Sequence, residues 1–113
     1  MAKRAVVSVM KTRPETVLPD IERLMRDAGF TSALPKDKVT ILKDNISWHF
    51  PYISANTTPW QLEGVIRALK NAGYNELVAV HNNTVVTDPY RGGDMNKLTP
   101  LYKKYNINEK YNF

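Results

Sequence analysis

The chain has 113 residues, 42% hydrophobic and 24% charged, a composition and length that suit one small globular domain with a modest core. Cysteine is absent, which excludes disulfides, thiolate chemistry and Cys-held zinc or iron–sulfur clusters within these residues. The 16 Lys and Arg exceed the 11 Asp and Glu by +5, but they are scattered, sit mostly beside acids (Glu22-Arg23, Lys36-Asp37-Lys38, Lys43-Asp44) and form no nucleic-acid motif, which argues against a nucleic-acid partner, just as the lack of any apolar run near the roughly 18 residues of a bilayer span argues against a membrane.

The first predicted element is a strand, Ala5-Val6-Val7-Ser8-Val9-Met10, short and rich in β-branched residues. It follows basic residues directly, with no long apolar segment and no small-residue cleavage site, so the expected location is the cytoplasm. A helix follows from near Pro14, with Thr12 and Glu15 spaced as a capping box. Val17, Ile21, Leu24, Met25 and Ala28 share one of its faces. Pro19 must lie at a kink or in the first turn, and Gly29 is the natural stop. The second strand is Val39-Thr40-Ile41-Leu42, entered through the turn Pro35-Lys36-Asp37-Lys38, and a long loop over 44–57 follows. The next helix has Thr58 as cap, Pro59 at the first position and Gln61 completing the capping box. Its buried face is Leu62, Val65, Ile66 and Leu69, and Gly73 ends it. The third strand is Leu77-Val78-Ala79-Val80.

This order, strand–helix–strand–helix–strand, predicts an α/β fold: a three-layer βαβαβ unit with a small parallel sheet, connected by right-handed crossovers and covered on both faces. The single domain spans 1–113, with its core in 5–83 and an irregular 84–113. There Asp88 to Gly93 reads as a loop, residues 98–105 as a short helix starting at Thr99-Pro100, and the tail has no convincing period. So small a sheet has two open edges, which suits either a homo-oligomer or the N-terminal part of a larger α/β domain.

In a parallel sheet all strands end on one edge, where open α/β folds bind ligands. The expected edge gathers Lys11 and Thr12 from strand one, Lys43, Asp44 and Asn45 from strand two, and His81, Asn82 and Asn83 from strand three. The helix starting at Thr58 directs its free N–H groups there too. Lys43 and Lys11 supply positive charge, and Asn45, Asn82 and Asn83 are amides that could orient an anion, although Asn is also a common turn residue. His81 is the natural proton-transfer group and Asp44 its acidic neighbour. With two histidines and no cysteine, no metal site is expected, and the identity of any cofactor is left open. Trp48-His49-Phe50-Pro51-Tyr52 reads as an aromatic lid over the crevice.

The segments Ile41-Leu42-Lys43-Asp44-Asn45, Ala55-Asn56-Thr57-Thr58-Pro59 and Val65-Ile66-Arg67-Ala68-Leu69-Lys70-Asn71-Ala72-Gly73 resemble the N-terminal part of the DUF362 family. Members of that family carry a strand ending in Lys-Pro-Asn, a Thr-x-Pro helix start and a helix closing on Ala-Gly. Lys43, Asn45, Thr58 and Pro59 match. Asp44 stands where the family has proline, and His81-Asn82-Asn83 stands where many members have a Gly-Asp-Ser type ending. The resemblance implies an α/β fold in a longer protein; the family's general activity is undefined, and the cysteine clusters of some members have no counterpart here. The functional expectation is therefore a domain that binds an anionic small molecule at the sheet edge, as part of an enzyme. Its alternative is a non-catalytic binding or assembly module using the open edge and the aromatic loop.

Overall fold

A computed structural model describes residues 4–112. In chain order the elements are α1 (Val17–Asp27), α2 (Phe30–Ala33), β1 (Thr40–Lys43), α3 (Pro59–Asn71), β2 (Leu77–His81), α4 (Pro89–Met95), α5 (Thr99–Lys104) and β3 (Asn108–Tyr111). The three strands form one sheet in the order β1-β2-β3, all parallel. An α/β fold with a small parallel sheet is thus what the chain adopts, but the sheet is not built from the three segments expected.

Residues 5–10 form no strand: Val6, Val7 and Val9 are 70%, 80% and 89% exposed. The third strand is instead Asn-Glu-Lys-Tyr at 108–111, in the tail read as irregular. β-Branched composition favours a strand only where a neighbour supplies hydrogen bonds and packing. β2 supplies both to β3, aligning Val78 with Asn108 and His81 with Tyr111. Residues 88–93 are likewise not a loop. Asp88 caps α4 by accepting hydrogen bonds from the backbone N–H groups of Tyr90 and Arg91, at 2.9 and 3.1 Å, and Pro89 opens the helix. Gly92 and Gly93 continue the helix, and glycine is needed there because a Cβ would lie 2.7 Å from Ile46 Cγ2 and 2.6 Å from Thr99 Oγ1, respectively.

The remaining elements follow their sequence signals. α3 has the capping box, with Thr58 Oγ1 accepting from the Gln61 N–H at 3.3 Å and the Thr58 N–H donating to Gln61 Oε1 at 3.0 Å. α1 starts at Val17, which puts Pro19 in the first turn, where its missing N–H breaks no intrahelical bond. Thr12 does not cap it; the Thr12 and Thr16 hydroxyls both donate to Asp20 Oδ2, at 2.7 and 2.6 Å. Gly29 closes α1 with φ of 81°, a left-handed value that glycine adopts without strain.

Paired positions on neighbouring strands project to the same side of the sheet. Leu42, Ala79 and Glu109 are one such row, and Ile41, Val78 and Asn108 are the next. The first row faces the core, where Leu42 and Ala79 join Phe30, Leu62, Ile66, Leu69, Tyr74, Leu98, Tyr102 and Ile107. Each large aliphatic residue fully buried there contributes about 1.5–3 kcal/mol. The opposite face is largely open, with Ile41 62% exposed, so the described residues make two layers rather than the expected three. α5 is tied to α3 through Glu63, which accepts from Lys104 Nζ at 2.6 Å and from the Tyr105 hydroxyl at 2.8 Å. That tie carries Tyr102 under the C-terminal end of the sheet.

Candidate functional site

Beyond β1 and β2 the strand ends diverge around a cleft of ≈ 320 Å³. It is lined by Lys43, Asp44, Asn45, Ile46, Ser47, His81 and Asn82, together with Thr84, Val86, Thr87 and Pro89. The structure therefore brings together five of the expected site residues: Lys43, Asp44, Asn45, His81 and Asn82. Asn83 lines an adjoining depression with His49 and Arg91. Lys11 and Thr58 do not line the cleft. Lys11 belongs to the stretch that forms no strand, and Thr58 is fully engaged in capping α3.

Under the cleft lies a buried polar cluster. His81 ends the central strand, aligned with Tyr111 of β3 and beside Asp44 just past β1, and it is only 3% exposed. Its Nδ1 is 3.2 Å from Asp44 Oδ1, and its Nε2 is 3.2 Å from Glu109 Oε1. The Nε2 contact is within ion-pair range but poorly directed, and it leaves Nε2 without a well-formed hydrogen bond. The Tyr102 hydroxyl donates to the other Asp44 oxygen at 2.8 Å. The Tyr102 ring meets His81 edge-on at 5.6 Å, and Tyr111 covers the imidazole at 5.0 Å with Tyr90 beyond it at 4.3 Å. Glu109 and Tyr102 were invisible as site residues in the sequence because β3 and the packing of α5 were needed to place them.

Electrostatics follow from this geometry. Burial alone would lower the His81 pKa; the hydrogen bond and charge of Asp44, reinforced by Glu109, outweigh it and raise it above 6.5. Burial raises the Glu109 carboxyl, and the facing imidazole only partly offsets that. Burial, then the Asp44 charge, holds the Tyr102 hydroxyl far above its ordinary range, while Tyr111 is pushed up to about 12 by burial and by Glu109. The cluster thus favours the protonated imidazole between two carboxyl groups, with Tyr102 as a fixed donor.

The loop above the cleft is held by asparagines. The Asn45 N–H donates to Thr57 Oγ1 at 2.8 Å, and its side-chain amide donates to Ser47 Oγ at 3.0 Å and to the Ala55 carbonyl at 2.6 Å. Its side chain therefore braces the loop at the rim of the cleft. Buried Asn56 accepts from the Ser47 N–H at 2.8 Å and approaches the Trp48 and Phe50 carbonyls and Asn96 Oδ1, each at 2.9 Å. Asn96 in turn donates to the carbonyls of His49 and Gly92. These two amides pin the aromatic segment onto α4, and within it His49 stacks against Trp48 at 4.8 Å and Phe50 at 4.5 Å. Asn82 Oδ1 accepts from the Asn112 amide at 3.1 Å, and the Asn83 N–H donates to Asn112 Oδ1 at 2.9 Å. Lys43 Nζ donates to the Asp44 carbonyl, folding its charge back over the strand end.

Among the described residues no group of three or more His, Asp or Glu side chains converges as a metal site, and no helix is long and apolar enough to cross a membrane. Comparison with protein-family models, curated proteins and solved structures finds no match to this chain.

Proposed function

We propose that this chain is a DUF362-like domain that binds a small anionic molecule in the cleft at the C-terminal edge of its sheet. The observation that carries the reading is the gathering of Lys43, Asp44, Asn45, His81 and Asn82 around one cleft of ≈ 320 Å³. Lys43 supplies mobile positive charge at the rim. The His81 imidazole lies between the Asp44 and Glu109 carboxyls, which offset any charge it takes up, so the positive potential at the cleft rests on Lys43. Asn82, Ser47 and the threonines provide neutral hydrogen-bonding groups, and Asp44 sets the orientation of His81. Both imidazole nitrogens face carboxyl oxygens, which argues against His81 acting as a free base.

The test is titration with inorganic phosphate, small carboxylates and nucleotides, read by calorimetry and thermal shift. One anion class should bind, and Lys43→Ala should weaken it about tenfold, which corresponds to about 1.4 kcal/mol, with no change in melting temperature. Indifference to every anion, or an unchanged affinity in Lys43→Ala, would overturn the reading. The alternative, a non-catalytic assembly module, is favoured by the open sheet face at Ile41 and by exposed Tyr52 and Ile53, 57% and 68% accessible. A stable oligomer that ignores all anions would select it.

A further inference from the structure

β1 is an edge strand: in the order β1-β2-β3, no strand among the described residues pairs with its outer side. An unpaired edge presents a row of free N–H and C=O groups that templates another strand. The same chain contains a β-branched stretch that forms no strand, residues 5–10, with Val6, Val7 and Val9 exposed. A third observation joins these two. α1 has a clear apolar face in Val17, Ile21, Leu24 and Met25, yet none of its residues is buried, whereas α3 buries Leu62, Gly64, Ile66, Ala68 and Leu69. Ile21 meets α3 at Gly64 and Met25 meets the core, but the apolar face of α1 is only half-buried.

The chain path fits a common solution. The α3 start is fixed at the C-terminal end of β1, where the Thr57 N–H donates to the Asn45 carbonyl at 2.8 Å. α1 starts at that same end: Val17 and residues 12–14 share an apolar groove with Trp60, and Ile21 packs where a Gly64 side chain would be. The segment before α1 therefore leaves from the edge at which a parallel neighbour of β1 would finish. We propose that residues 5–10 dock as a fourth parallel strand on the outer edge of β1, sliding under α1 and completing a strand–helix–strand unit, and that the described conformation is the undocked one. Docking pairs the β1 edge, removes Val7 and Val9 from water and gives α1 a sheet to cover. It also delivers Lys11 to the edge that holds Lys43. That last consequence rests on the proposed anion-binding function, whereas the docking itself does not.

Amide hydrogen exchange of the full chain tests the docking. Residues 6–10 should exchange about tenfold or more slowly than an unstructured peptide of the same sequence, independently of protein concentration. Val7→Asp/Val9→Asp should restore free exchange there and speed exchange in α1, while Leu77–His81 stays protected. Free exchange in the unmodified chain overturns the docking, as does protection that survives the double substitution. Protection that appears only with a dimer on size-exclusion chromatography overturns the intramolecular form. For the site, Lys11→Ala should weaken phosphate binding several-fold. If Lys43→Ala weakens it and Lys11→Ala does not, the delivery of Lys11 is refuted and the anion site stands. If neither does, the anion site falls and the docking is judged by exchange alone.

Discussion

Replacing Tyr102 with Phe isolates one bond of the buried cluster. The ring is fully buried and packs edge-on against His81 at 5.6 Å, so Phe retains the packing and creates no cavity. What disappears is the hydroxyl that donates to Asp44 Oδ2 at 2.8 Å. A hydrogen bond to a charged partner contributes about 1.5–3 kcal/mol, and the carboxylate oxygen left behind is only 5% accessible as part of Asp44, too buried for water to replace the donor readily. For a domain of this length each kcal/mol moves the melting temperature by about 4 °C, so Tyr102→Phe should melt about 6–12 °C lower. In urea the midpoint should fall by about 1 M at unchanged slope. Tyr105→Phe is the matched control. Its hydroxyl also donates to a carboxylate, Glu63 Oε1 at 2.8 Å, but Lys104 holds the same oxygen and the site is half-exposed, so the loss should stay below about 1 kcal/mol. Equal shifts for the two variants, or a Tyr102→Phe shift under about 2 °C, would refute the assignment of Asp44 as a buried acceptor that needs this donor.

Two further outcomes follow from the same structure. His81 has a raised pKa, so its stabilisation is complete below its ordinary value of 6.5 and is lost as pH climbs through the raised one; Glu109, also raised, acts in the same sense from 4.5 upward. Asp20, Glu22 and Glu63 have lowered values and add stability that disappears on acidification. The melting temperature should therefore peak at mildly acidic pH and fall as pH rises above 6.5, and His81→Gln should flatten that alkaline limb; a rise there would contradict the cluster geometry. Asn56→Ala removes the amide that holds the Ser47 N–H and the Trp48 and Phe50 carbonyls. It should cost at least about 2 kcal/mol and open the aromatic loop to chymotrypsin, and unchanged proteolysis of the folded variant would show that the loop is held by its rings alone.

Much of the fold is legible where local and long-range preferences agree. Thr58, Pro59 and Gln61 announce α3 because capping is local chemistry, and Leu77 to Val80 reads as a strand because it is buried on the central position of the sheet. Legibility fails where tertiary context overrides the segment. Asn-Glu-Lys-Tyr becomes β3 because β2 offers it an edge, and Gly92-Gly93 is glycine inside a capped helix because Ile46 and Thr99 leave no room for side chains there. The converse holds for residues 5–10, which have strand chemistry and no partner in the described conformation. The site divides in the same way. Lys43, Asp44 and His81 could be read because strand ends of a parallel sheet share an edge. Glu109, Tyr102 and the Asn56–Asn96 pair could not, since each depends on contacts between segments far apart in the chain.

The all-parallel sheet also bears on how the molecule assembles. No two of its strands can zip up as a hairpin; each pairing must wait until an intervening stretch containing helix has folded back. The β1–α3–β2 segment holds the best capped helix and most of the core, so it is the natural nucleus. β3 has little propensity of its own and joins only when the edge of β2 exists to receive it. Until it arrives, His81 faces Asp44 alone. The second carboxyl and the ring of Tyr111 both come from β3, so the full surroundings of His81 exist only once β3 has paired with β2.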